Sequence, residues 1–468
     1  MNKPAQECLH ARATVATPRA ARAGRPAARP VKAQHDEPVD DPVNASMADP
    51  IEKALEGPTD RLEAKTGVIV FLAFAAAYFC SALVRSITAT LSPVLTQEFA
   101  LQARDLGLLG GGYFLGFAAM QLPLGVWLDR HGPKRVILYF LSLAVLGCLA
   151  FSVASSFAWL LASRVLIGMG VGACLMAPLT GYRRWFDVPT LLRANSWMLM
   201  TGSLGMLAST LPVQWLMPLT GWRPLFWILA TLIVLSMAAI ALVVPPWQLR
   251  PAQHGAGVAP ADENSYALVW RNRFFQKMSP LGFFNYGGLV AVQTLWAGPW
   301  MVKVAGYTAL ESATGLFYIN AAMLVTFWGW GLLNPWLARR GWSASRLIGW
   351  GVPLSLVVLS VNIAQGASTG WPGWALYCVS SSVMGVAQPA VGMAFKASLA
   401  GRALSGYNLM IFSGVFVVQW GIGLLIDAFA AMGLAPVASF QAAMGVFLGC
   451  CIAAYGYFLS VKVDNPAL

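Results

Sequence analysis

From Gly67 to the C-terminus, apolar runs of about 20 residues alternate with short polar joints, and the alternation repeats twelve times. The runs fall at approximately 67–93, 106–128, 135–154, 158–180, 194–217, 223–246, 278–302, 312–336, 346–366, 373–395, 404–426 and 438–461. As helices, runs of that length cross a hydrocarbon core of ~30 Å. Helix is the economical choice there, because each backbone N–H and C=O must find its partner inside the segment. The pattern predicts an all-α polytopic membrane protein with twelve transmembrane helices. The longest joint, 247–277, follows Pro245-Pro246 and ends in a basic stretch around Arg271, dividing a first half, 67–246, from a second, 278–468.

Residues 1–66 break the pattern. Residues 1–34 are rich in Ala, Arg and Pro, 36–63 are mostly acidic, and neither stretch has an apolar face, so a disordered cytoplasmic tail is expected. The front of the tail is Arg-rich and nearly free of acids, as in an organellar transit peptide. The preferred reading is that Met47 is the start and the residues before it are dispensable.

Charge sharpens the topology. Only 11% of residues are charged and 57% are hydrophobic, whereas soluble domains carry about 25% charged residues. Lys and Arg gather in alternate joints: Arg130, Lys134 and Arg135; Arg183, Arg184 and Arg193; Arg250, Arg271, Arg273 and Lys277; Arg339, Arg340 and Arg346; Lys396 and Arg402. The intervening joints hold Arg104, Arg223 and Lys303. By the positive-inside rule both termini and the 125–135 joint face the cytoplasm. The formal net charge of +12 therefore reports topology and not a nucleic-acid partner. Compact joints, together with the resemblance described below, point to a bacterial inner membrane.

Residues 125–135 read GVWLDRHGPKR and join the second run to the third. Gly125, Asp129, Arg130, Gly132, Lys134 and Arg135 resemble the loop signature of the major facilitator superfamily. A weaker copy supports the resemblance: Trp127-Leu128-Asp129-Arg130-His131-Gly132 aligns with Trp336-Leu337-Ala338-Arg339-Arg340-Gly341, and each follows an even-numbered run. The resemblance implies two pseudo-symmetric six-helix bundles around a central cavity, and secondary transport by alternating access. It also implies that Gly125 admits a neighbouring helix and that Asp129 faces the start of helix 11 across the bundles. An anion at a helix N-terminus contributes roughly 0.3–1 kcal/mol, up to ~2 when partly buried. That suffices to bias a balanced two-state equilibrium and still release in every cycle.

Candidate binding residues lie on the runs. Tyr78, Ser81, Arg85 and Thr88 are spaced to share one face of the first helix. A guanidinium at that place would take a carboxylate, phosphate or sulfonate with good geometry; the competing reading is an arginine that snorkels to the surface. The position resembles that of the arginine in organic-anion symporters of the superfamily. On the fourth run, Arg164 precedes Gly168, Gly170 and Gly172. With no strand ahead of them, these glycines read as helix packing and not as a nucleotide loop. Arg164 either couples and binds, as the resemblance implies, or is a structural arginine bonded to helix carbonyls. Asn285, Tyr286, Gln293 and Trp296 on run 7, with Asn320, Gln388, Asn408 and Gln419, add neutral polar groups. Half of these are expected to line the cavity and half to bond helix to helix.

Absences narrow the substrate. The runs themselves are free of acidic residues: Asp427 lies at the end of run 11, and Glu311 just precedes run 8. His10, His35, His131 and His254 all lie outside the runs. A drug/proton antiporter for cations needs a buried carboxylate. Run 5 also lacks the Gly-Pro pair of that branch after Gly202 and Gly205, and runs 2 and 8 lack the arginines of the nitrate branch. The seven cysteines form no CxxC or Cys/His cluster, so no metal site is expected. With no Walker, HExxH or Ser/His/Asp grouping, neither enzyme activity nor a cofactor is expected. The function this implies is transport of a small organic anion by a monomer in the bilayer. A proton is a candidate coupling ion, carried by the substrate or by a neutral network. Export of amphipathic metabolites or drugs, and a non-transporting receptor, are the alternatives.

Overall fold

The structure, a computed structural model, describes residues 61–247 and 266–461, and its regular elements are all helical. These residues belong to one compact unit, Asp60–Leu468. Twelve helical passages run in chain order: α1 Ala64–Phe99, α2 103–131, α3 133–152, α4 Phe157–Trp185, α5 188–220, α6 Trp222–Val243, α7 273–303, α8 Ala309–Arg339, α9 Ala344–Gln365, α10 371–393, α11 Ala397–Ala431 and α12 Pro436–Ser460. Each coincides with a predicted run, and most extend beyond it. Thus α1 continues past Pro93 to Phe99, where Glu98 accepts from Trp222 Nε1 (2.7 Å) and pairs with Arg223 (2.6 Å).

Two expected boundaries are corrected. The tail read as 1–66 is ordered from its last residues onward: Leu62 N–H donates to the Trp185 carbonyl at 3.1 Å, and α1 begins at Ala64. Residues 1–60 lie outside the described residues, as do 248–265 of the linker. The rest of the linker is helical, with a short helix at Tyr266–Arg271 and α7 starting at Arg273. The Asn272 side chain caps α7 through the amides of Phe274 (2.9 Å) and Phe275 (3.1 Å). Val269, Phe274 and Phe275 are buried, and that burial stabilises a segment whose polar neighbours had suggested a loop.

Local chemistry sets the breaks. Gly132, at φ +74°, ends α2 and lets Pro133 open α3; a Cβ there would collide with the Trp247 ring. An L-residue in that left-handed region costs about 1–2 kcal/mol before any collision. The α5 ladder breaks at Ser209–Thr210 ahead of Pro212, and the freed Ser209 carbonyl accepts from Thr90 Oγ1 at 2.8 Å. Two π-helical segments, Leu281–Tyr286 and Val292–Trp296, interrupt α7, the repeat partner of α1; such bulges are frequent at functional sites.

The two ends of the molecule differ. One apolar core joins all of the first bundle to the α1–α2 end of the second, through Leu289–Met301, Leu316, Val415–Ile426 and Phe440–Cys451. The end of the second bundle nearest the linker has a separate core of Phe275, Ile348, Val391, Tyr407 and Phe458. The apolar core shared by the bundles thus lies at the α1–α2 end, and the linker end of the second bundle has a core of its own.

Candidate functional site

A cavity of ≈ 130 Å³ lies midway along the helices, between the bundles. The first bundle lines it with Tyr78, Ser81 and Arg85 of α1, Phe117 and Gln121 of α2, and Leu175 and Met176 of α4. The second supplies Tyr286, Gln388, Asn408, Ile411 and Phe412. Spacings of three and four residues place Tyr78, Ser81 and Arg85 on one stripe of α1. Phe412 reaches across from α11 to pack tilted against Phe117, with ring centroids 4.4 Å apart and the rings at 58°. Gln388 Nε2 donates to Asn408 Oδ1 at 2.7 Å, tying α10 to α11 along the wall.

Arg85 is the charged group of this wall. Its Nε is buried without a hydrogen-bond partner, and its nearest polar neighbours are the hydroxyls of Tyr78 and Tyr113. Tyr113 sits behind the wall with its ring against the second buried arginine, Arg164, whose Cζ is 5.2 Å from the ring centroid. Arg164 Nη1 donates to the Val84 carbonyl at 3.0 Å, while its Nε and Nη2 are unpartnered. No described carboxylate forms an ion pair with either arginine. A cation left in that condition is costly.

Seven of the sequence candidates are not on the wall, Thr88, Trp296 and Gln419 among them. Arg164 lies one layer behind it, bonded to a helix carbonyl. Gln293 and Asn320 satisfy each other within the second bundle: Gln293 Nε2 donates to Asn320 Oδ1 (3.0 Å), and Asn320 Nδ2 to the Leu316 carbonyl (2.9 Å). Asn285 is buried with Oδ1 unpartnered, yet the last residue of the π segment, Tyr286, is the one that faces the cavity. Sequence reasoning also passed over Phe117, Gln121 and Tyr113. Gln121 carried a signal, being a lone amide inside an apolar run; Tyr113 and Phe117 carried none that separates them from ordinary core aromatics.

The signature loop lies at the linker end. Asp129, Arg130 and Arg135 are exposed, and Asp129 lies within electrostatic reach of the Tyr266 hydroxyl, which also senses Arg402 of α11. A Cβ on Gly125 would meet nothing within 4 Å, so no helix presses on it here. Lys134 is engaged: its Nζ donates to the Val244 carbonyl at 2.6 Å and caps the end of α6. Gly132 holds the turn. The glycines of α4 pack as anticipated, with a Cβ on Gly168 colliding with the Tyr113 carbonyl and one on Gly170 with the Ala144 backbone.

At the α1–α2 end the same helix pair is in close contact. A Cβ on Gly107 would collide with the Gln419 carbonyl, one on Gly423 with the Ala103 carbonyl, and one on Gly111 would come within 2.9 Å of the Phe416 ring.

The family model described as Major Facilitator Superfamily matches residues 74–419. Among curated proteins, the chain is 26% identical over 378 residues to the multidrug resistance protein MdtL of Escherichia coli O6:K15:H31, covering 75% of this chain and 92% of that protein. It is 24% identical over 307 residues to the "Probable L-galactonate transporter" of Escherichia coli K12, covering 59% of this chain and 63% of that protein. Among solved structures, a bacterial homologue of the human lysosomal transporter Spinster, inward-facing and unoccupied, superposes with a TM-score of 0.68 at 17% identity, over 85% of this chain and 97% of that one. Twelve helical passages, a cavity between two bundles and a family match that spans most of the chain agree: the chain belongs to the Major Facilitator Superfamily.

Proposed function

We propose that the protein moves a small organic anion across the bacterial inner membrane by alternating access. The observation that carries this reading is Arg85, a cation on the cavity wall with an unpartnered Nε and no carboxylate paired to it. A carboxylate or sulfonate would receive a charge-assisted, two-pronged pair of hydrogen bonds from the guanidinium. Tyr78, Ser81, Gln388 and Asn408 would then orient the rest of a small polar ligand. The relative named for L-galactonate, itself a carboxylate, supports the class and not the compound.

By the positive-inside rule the linker end is cytoplasmic, so the described conformation faces the cytoplasm. Asp129 is then in the released half of its cycle, and in the opposite state it would dock on the start of α11, with Gly125 admitting that helix. Arg130, Gly132, Lys134 and Arg135 set the shape of the loop that carries it. No carboxylate lies on the cavity wall, so a coupling proton would travel on the substrate or through the Tyr78–Tyr113 hydroxyls.

Export of amphipathic compounds is the second reading. It is favoured by the span of the match to MdtL and by the aromatic wall of Tyr78, Phe117, Tyr286 and Phe412. Ligand-induced thermal stabilisation separates the two. With purified protein and a panel of two- to six-carbon carboxylates and sulfonates, the anion reading expects stabilisation that Arg85→Ala abolishes. Stabilisation by neutral or cationic amphiphiles alone, unchanged in Arg85→Ala, would transfer the assignment to export.

A further inference from the structure

The Asp427 carboxylate lies just past the end of predicted run 11, and the cavity does not use it. It stands at the C-terminal end of α11, at the α1–α2 end of the molecule. Its two oxygens accept from the first two amides of α2, Ala103 N–H to Oδ1 at 3.2 Å and Arg104 N–H to Oδ2 at 2.9 Å. These bonds cross from the second bundle to the first. The first turn of a helix has donors with no partner inside the helix. Here Gln102 N–H is taken by Asp105 Oδ2 (3.0 Å) and Asp105 N–H by the Gln102 carbonyl (3.1 Å), both within α2. Ala103 and Arg104 depend on Asp427.

Four residues before Asp427, Gly423 brings the two backbones together. The order Gly423-Leu424-Leu425-Ile426-Asp427 matches Gly125-Val126-Trp127-Leu128-Asp129 at the C-terminal end of α2. In both, the four-residue spacing places the glycine and the carboxylate on one helix face. Because α2 and α11 run antiparallel, the C-terminal end of each faces the N-terminal end of the other. The pair therefore carries a glycine–aspartate unit at each end, and the one at the α1–α2 end spans the bundles through two backbone hydrogen bonds.

We infer that Asp427 is the gating residue of the α1–α2 end, the counterpart of Asp129 at the linker end. Docked on the start of α2, it holds that end shut while the linker end is open. When the bundles rock, its two bonds break and the Ala103 and Arg104 amides pass to water. The carboxylate sits where the positive end of the α2 dipole reinforces both bonds. The latch therefore biases the equilibrium between the two access states without touching the substrate. The inference rests on alternating access but not on an anionic substrate.

Hydrogen exchange of the full-length protein in nanodiscs, without substrate, tests it. In Asp427→Ala and Asp427→Asn, peptides covering 101–112 and 416–427 should exchange about 10-fold faster, a shift of roughly 1.4 kcal/mol. Peptides covering 121–135 and 397–407 should exchange more slowly, because the linker end closes as the other opens. Gly423→Ala keeps the carboxylate but forbids the close approach, and should shift exchange in the same two directions; it also serves if the Asp427 variants fail to fold. Rates at the α1–α2 end within about twofold of the parent would overturn the inference. Rates rising at both ends would overturn it too, since Asp427 would then be an ordinary helix cap and not a gate.

Discussion

The two ends of the α2–α11 pair are built from the same parts and stand in opposite conditions. At the α1–α2 end, glycines bring the backbones into contact and a carboxylate spans the bundles. At the linker end, Gly125 faces open space and Asp129 is exposed. A glycine with nothing near it would read as incidental in isolation. Beside its engaged counterpart it reads as a contact surface awaiting its partner. If the bundles alternate as proposed, one conformation reports on two, because each end shows the arrangement that the other would take in the opposite state.

The strongest way to break the contrast is to wedge the closed end. Gly107→Val places a branched side chain against the Gln419 carbonyl, and should lower transport in proteoliposomes at least ~100-fold while the protein still inserts. Overpacking typically costs 1–3 kcal/mol, and here that cost falls on one access state only. Unchanged flux would show that the α1–α2 end need not close.

Next in size is Gly132→Ala at the other end. The left-handed φ and the Trp247 ring together should cost about 2–3 kcal/mol, read as a lower midpoint of thermal unfolding in detergent. Equal stability to the parent would mean that the turn relaxes freely.

Asp129→Asn should leave thermal stability within about 0.5 kcal/mol, as for an exposed side chain, and yet slow transport about 10-fold. Combining it with Asp427→Asn should return the exchange rates at both ends toward those of the parent, since each latch opposes the other. A double variant that merely adds the two defects would sever the proposed link between the ends.

The smallest effect belongs to Gly125→Ala. Nothing surrounds that position here, so stability should not move and ligand stabilisation should persist, while flux falls a few-fold. Full flux would imply that α11 never approaches Gly125.

Much of this was legible in the chain. Apolar runs long enough to cross a bilayer have few alternatives in lipid, and all of them became helices. The stripe of Tyr78, Ser81 and Arg85 was visible because helical periodicity is rigid, and it faces the cavity. Neutral polar residues were harder to place. Whether Gln293 faces a ligand or Asn320 depends on a partner 27 residues away, and the π segments of α7 rotate side chains relative to a regular helix. Asp427 was visible as an oddity, but its partners lie 324 and 323 positions earlier in the chain. The spacing it shares with Asp129 becomes meaningful only once the helices are known to be antiparallel neighbours. The helix at Tyr266–Arg271 and the start of α7 rest on the burial of Val269 and the Asn272 cap, which composition alone does not report.

The most direct test of the whole account is a pair of spin-label distances in a cysteine-free background, one across each end. Gln102 and Met432 report on the α1–α2 end, and His131 and Lys396 on the linker end; all four positions are exposed. On adding an anion that stabilises the protein, the linker-end distance should shorten as a longer α1–α2-end distance appears, and Arg85→Ala should abolish both responses. Distances that stay fixed, move together, or respond equally in Arg85→Ala would contradict an anion-driven exchange between the two ends.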